Sequence, residues 1–441
     1  MHHGIETAEW YSIMVFSSLS FLYYFLPAVV LVYYLVKGRA RNYVLLAFSI
    51  FFYFWGEQKL IVFMLLSIVL AYLAGLLIEK NYHRRMVLIA FCAYMLGQLG
   101  YFKYLGLFGF SIKVVLPIGI SFYTFQALGY VIDVYRGLPA QKNLFDLALY
   151  IAMFPQLIAG PIVRYKDIAD QLDSRTPDWQ NGVLLFMRGL AKKVLMANNL
   201  GSLVALAKAS GEQSVLLNWL YALAFFLQIY YDFSGYSDMA IGLGKLFGFH
   251  FLTNFDYPYS SQSITEFWRR WHISLGNWFR DYVYIPLGGN RCSPGRHLFN
   301  IFFVWMLTGL WHGANWHFVW WGLYFGVLLV LEKYVYGRYL KGFVAHLYVL
   351  LAVLLGFVLF DGEAARIPSL FGFGQLALYD RFALFQLRNY GFLLLIALVL
   401  SFKYHYSLKP WQKYALAAAG LLVCTAYLVD GSFNPFLYFR F

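Results

Sequence analysis

The chain has 441 residues, of which 61% are hydrophobic and only 12% charged, with a mean hydropathy of +0.61. That is more apolar surface than one folded globule can hide from water, which excludes an ordinary soluble enzyme and makes lipid the solvent. A net charge of +13 would suit a nucleic-acid binder, but the basic residues fall in short loops beside apolar runs, which reads as membrane orientation.

In chain order, residues 1–13 form a polar extension ahead of "MVFSS", which makes Met14 an alternative start. Apolar runs of membrane-spanning length follow near 15–37, 42–56, 60–79, 86–105, 114–132, 145–162, 183–208, 215–231, 298–312, 316–332, 343–360, 390–402 and 412–429. Several are short or interrupted. The expectation is an all-α polytopic membrane protein with roughly 11 to 13 membrane-embedded helices, some re-entrant, in one domain over 14–441. "KGRARN" and "EKNYHRR" read as cytoplasmic and the intervening "GEQ" as external, which puts the N-terminus outside. The first apolar run is long enough to be an anchor rather than a cleaved signal. No internal repeat appears, which weighs against transporters built from duplicated halves. Cys92, Cys292 and Cys424 are scattered, so neither a disulfide framework nor a cysteine metal site is expected.

Between about 115 and 320, glycines, prolines and charges interrupt the apolar runs. Irregular backbone at membrane depth survives only against protein or a wet cavity, so the chemistry is placed there. In "YVIDVYRG", Asp133 and Arg136 are spaced for a local ion pair. "FPQLIAGPIVRYKD" reads as a broken or re-entrant element with Arg164 and Lys166 at its polar end. In "YYDFSGYSDMAIGLG", Asp232 and Asp238 are costly in lipid and are expected to pair with basic side chains; their spacing makes a poor metal site. "SITEFWRRWHISLGNW" opens with a capping box, Ser263 and Glu266, and carries Trp268, Trp271, Leu275 and Trp278 as an aromatic stripe at helical spacing. Its arginines, Arg269 and Arg270, with Trp271, suit an anionic, phosphate-bearing donor such as coenzyme A. His272 is open to either a catalytic or a structural reading.

"LTGLWHGANWHF" then places His312, Asn315 and His317 in an apolar run. Helical zinc pairs stand four residues apart, whereas a spacing of five turns side chains about 140° from one another, so His312 and His317 are not expected to share a metal. His312 and Asn315 would share a face if one helix ran through both. A neutral imidazole could then take a proton from a hydroxyl, with the amide steadying the developing oxyanion. His317 reads as structural.

Together with "LPIGISFYTFQALGYVIDVYRG" and "IPLGGNR", these stretches resemble, in order and over essentially the whole chain, the membrane-bound O-acyltransferase family, specifically its bacterial polysaccharide branch. The resemblance implies a ring of membrane helices around a funnel or tunnel, His312 as the catalytic residue, and His272 as the second position of interest. It implies no permanently bound cofactor. Acetyl-CoA would be the cytoplasmic donor and an extracytoplasmic polysaccharide, alginate-type or peptidoglycan-type, the acceptor. An extracytoplasmic esterase-fold (SGNH-type) acetyltransferase would be the partner, and the bacterial inner membrane the location. The ending "SFNPFLYFRF" reads by composition as an aromatic interface anchor, and by resemblance as a motif in which Tyr438 carries acyl. The rival readings are a transporter and a non-catalytic scaffold for a periplasmic glycan-modifying enzyme.

Overall fold

The computed structural model describes residues 14–109, 115–211, 213–374, 376–403 and 408–431. Among them the secondary structure is helical, with only an isolated bridge between Ser214 and Ala377. Among the described residues, seven helical stretches are long and apolar enough to cross a membrane: Ala40–Glu79, Arg84–Leu107, Val215–Leu246, Trp316–Tyr336, Gly342–Phe360, Arg381–Leu400 and Pro410–Val429. A shorter apolar helix spans Phe21–Leu35. The first stretch is broken where expected, at "GEQ", because Gln58 takes a φ of 36°. Elsewhere Leu144–Ala152 stops before Phe154–Leu157, whereas a π-helical segment, Lys192–Ala197, joins Trp179–Ala191 to Asn198–Ala209. The extension 1–13, and Tyr438 with the rest of the tail from 432, lie outside the described residues.

The chain divides into two compact units, 1–190 with 236–252, and 191–235 with 253–441. In the first, Ile61–Glu79 packs on Arg84–Leu99 and Ile120–Tyr135. Gly182 and Gly242 let two helices touch; a Cβ on Gly242 would sit 2.6 Å from Phe186 N. Several charged groups in this unit are paired, which lowers the cost of holding them in lipid. Asp238 receives both arms of the Arg188 guanidinium at 3.0 Å, the basic partner expected for it. Asp133 lies 4.0 Å from Arg136 and 3.9 Å from Lys166. Arg164 forks onto Asp167.

The second unit is built around an aromatic core in which Tyr259 stacks on Phe226 with ring centres 4.0 Å apart. Asp232 is buried against Lys193 Nζ at 2.6 Å, again the expected kind of partner. Helices Pro294–His312 and Trp316–Leu331 form a tight hairpin. A Cβ on Gly309 would fall 2.2 Å from Phe318 O, and one on Gly322 2.2 Å from Trp305 O, so only glycine permits this approach.

Candidate active site

His312 is the last residue of its helix; Gly313 is extended, and Asn315 is the N-cap of the next helix. The expected shared helical face of His312 and Asn315 therefore does not form. The chain turns between them, and Asn315 is exposed while His312 is buried. His312 sits in an aromatic box, with Trp321 and Phe360 each at 5.1 Å and nearly perpendicular to its ring. His317 lies against Phe318 and Gly362, away from any metal-like cluster; among the described residues no group of acids, histidines and cysteines could hold a metal.

His272 comes from a second element, and here too the sequence expectation is corrected. The aromatic stripe does not run along one helix, because Ile264–Arg270 ends at an extended Trp271 and His272 takes a left-handed φ of 46° before Ile273–Phe279 begins. Such a backbone is uncommon outside glycine and is held only by strong local constraints. Asn254 supplies them. Its backbone oxygen accepts from Ile273 N at 3.0 Å, and its Oδ1 accepts from Ser274 N at 3.1 Å and Ser274 Oγ at 2.9 Å. His272 Nδ1 lies 3.2 Å from the same Oδ1. An oxygen that already accepts from a backbone N–H cannot be the donor, so Nδ1 carries the proton and Nε2 is the acceptor of the ring. Burial pushes the pKa of His272 down to about 3, so the ring stays neutral.

Both histidines line one cavity of about 730 Å³. Ser263 caps the helix at its rim by accepting from Glu266 N at 2.9 Å, while Glu266 itself accepts from Gln262 N. The cationic side chains around the cavity are Arg269, Arg280, Lys333 and Arg338. The one carboxylate in the lining, Glu332, is occupied by Ile264 N and Thr265 Oγ1. Of the three residues expected to meet an anionic donor, Arg269 and Trp271 line the cavity. Arg270 does not: it turns to Glu266 at 2.9 Å and Asp256 at 3.7 Å.

Sequence reasoning missed Asn254, His297 and the segment 329–338, which it treated as anonymous helix. The adjacent charges Glu332 and Lys333 inside an apolar run were the available signal.

The sequence matches the profile of the membrane-bound O-acyltransferase family over residues 4–352. It is 43% identical over 423 residues to the probable alginate O-acetylase AlgI of Pseudomonas aeruginosa, covering 88% of this chain and 81% of that protein. The peptidoglycan O-acetyltransferase of Helicobacter pylori is 33% identical over 374 residues, 73% and 71% of the two chains. A teichoic acid D-alanyltransferase of Bacillus subtilis is 29% identical over 234 residues, 49% and 59% of the two.

Proposed function

The chain belongs to the membrane-bound O-acyltransferase family and is a multi-pass membrane O-acyltransferase, and from that premise we propose that it moves acetyl from cytoplasmic acetyl-CoA across a bacterial inner membrane for O-acetylation of an extracytoplasmic polysaccharide. The observation that carries this reading is one cavity lined by three buried histidines, His272, His297 and His312, and by cations that outnumber carboxylates. Cations in a partly dehydrated cavity suit the phosphates of a coenzyme A thioester. The names of the relatives, acting on alginate and on peptidoglycan, support an uncharged acetyl cargo and a glycan acceptor.

In this mechanism His312 takes the proton of a hydroxyl, whose oxygen attacks the thioester carbonyl carbon. The tetrahedral intermediate collapses with loss of the C–S bond, and the departing thiolate recovers the proton from His312. Atoms balance without an added reactant. His272 accepts a hydrogen bond from a substrate N–H or O–H and fixes its orientation. The hydroxyl belongs either to the Tyr438 phenol, as a relay, or to the final acceptor. An SGNH-type esterase-fold partner outside the membrane would complete delivery to the glycan. Asn315 is exposed and outside the cavity lining, so the mechanism assigns it no step.

The test uses inverted membrane vesicles from cells making the acceptor glycan, supplied with radiolabelled acetyl-CoA. Label is expected to enter polymer, and His312→Ala is expected to lower the rate by roughly a thousandfold or more while the protein still accumulates. Transfer at the wild-type rate in that variant removes the role of His312. A complete lack of transfer from acetyl-CoA by wild-type vesicles removes the donor.

A further inference from the structure

His297 is buried in the cavity wall and has no part in the acyl-transfer chemistry. Its Nδ1 lies 2.8 Å from Tyr334 Oη. Its Nε2 lies 3.1 Å from Tyr284 Oη and 3.2 Å from Lys333 Nζ. An ammonium can only donate, so Nε2 must be the acceptor and the Nδ1 proton goes to Tyr334. The imidazole is neutral, and its lone pair takes one of the three N–H bonds of Lys333. The other two remain for whatever occupies the cavity. Among the described residues the contacts of Lys333 are with His297 and the Tyr334 ring rather than with a carboxylate, although Glu332 is its chain neighbour. That neighbour is held by Ile264 N and Thr265 N. A buried neutral base that fixes a flexible cation, with the nearest acid engaged elsewhere, is arranged for an anion brought by a ligand.

We propose that Lys333, positioned by His297, contacts a phosphate of the acyl donor and selects phosphate-bearing thioesters. The proposal rests on the donor reading above and extends it to residues outside the acyl-transfer step. Arg338 and Arg280 line the same cavity and supply further positive charge. The phosphate could come from coenzyme A or from the phosphopantetheine arm of a carrier protein, which share this chemistry.

The experiment titrates the purified full-length protein in detergent with CoA and, separately, with 4′-phosphopantetheine, at several salt concentrations. Lys333→Gln is expected to weaken binding roughly tenfold, the order of one charge-assisted hydrogen bond, and to flatten the salt dependence because one ion contact is gone. Lys333→Arg should retain the salt dependence. His297→Leu should weaken binding while adding nothing in the Lys333→Gln background, because a positioning residue acts only through the group it holds. His297→Gln, which keeps an acceptor, should recover part of the loss. A Lys333 effect on CoA alone assigns the contact to its nucleotide phosphates. An effect on both ligands assigns it to the phosphate next to pantetheine. Unchanged affinity in Lys333→Gln, or weaker affinity with the wild-type salt dependence, overturns the proposal. Wild-type protein that binds neither ligand overturns the donor reading itself, a separate result. Lys333 is exposed, so its variants are expected to fold even where His297→Leu is not recovered.

Discussion

At the scale of single residues, the two histidines differ in how far the sequence announced them. His312 was legible because a buried imidazole in an apolar run needs a reason, and it does line the cavity. Its link to Asn315 was not legible, because the helix stops at His312 and spacing arguments hold only within one helix. The clamp on His272 was invisible for another reason: Asn254 lies in an irregular stretch well upstream, and no periodicity connects the two. That clamp has a pH consequence. The folded ring stays neutral down to about 3, whereas an unfolded histidine titrates near ~6.5. Below that value the unfolded chain binds more protons, so the stability tied to His272 is complete above about pH 6.5 and shrinks as pH falls toward 3. Asn254→Asp keeps an acceptor for Ser274 N but sets a carboxylate against Nδ1–H, which raises the pKa of His272. We expect near-wild-type transfer at about pH 8 and, by about pH 5, roughly a tenfold fall beyond any shown by the wild type. A variant profile parallel to that of the wild type would mean that Asn254 serves backbone geometry alone.

At the scale of elements, most helices were readable because apolar length is a strong signal, and their interruptions were readable from glycine, proline and charge. The break at Trp271 and His272 was not, since "EFWRRWHISLGNW" contains neither proline nor a glycine at the break. Tertiary hydrogen bonds from Asn254 impose it. The hairpin that carries His312 depends on the opposite device, small residues where helices meet. A methyl group on Gly309 would collide with the carbonyl of Phe318, and backbone cannot move aside as a side-chain tip can. Gly309→Ala is therefore expected to cost about 1–3 kcal/mol, read as a lower unfolding midpoint in detergent, and to reduce transfer by displacing His312. Gly420 is the control. It lies in Pro410–Val429 with nothing within 4 Å of its Cβ position. Alanine there should leave activity intact and stabilise by up to about 1 kcal/mol. Equal behaviour of the two variants would show that the hairpin tolerates a wider spacing.

At the scale of the whole molecule, the stretch 115–320 that sequence marked for chemistry divides between the two units. The lining of the histidine cavity runs from Ser263 to Arg338, entirely within the second unit, while the ion pairs of Asp133 and Asp238 belong to the first. Charges in the early motifs marked buried pairing, which costs lipid-embedded chains as much sequence signal as catalysis does. Loop charge bears on a different property, orientation. Ala40 follows Arg39 and precedes Arg41, and Tyr82 precedes His83, Arg84 and Arg85, so both loops should stay on the cytoplasmic side. Lys59, between the two halves of Ala40–Glu79, should then face outward. All three positions are exposed, so a cysteine at any of them is open to reagent from its own side. In a background with Cys92, Cys292 and Cys424 replaced by serine, Lys59→Cys should react with a membrane-impermeant maleimide in intact cells. Ala40→Cys and Tyr82→Cys should react only after the membrane is opened. The reverse pattern would put the basic loops outside and overturn the orientation read from loop charge.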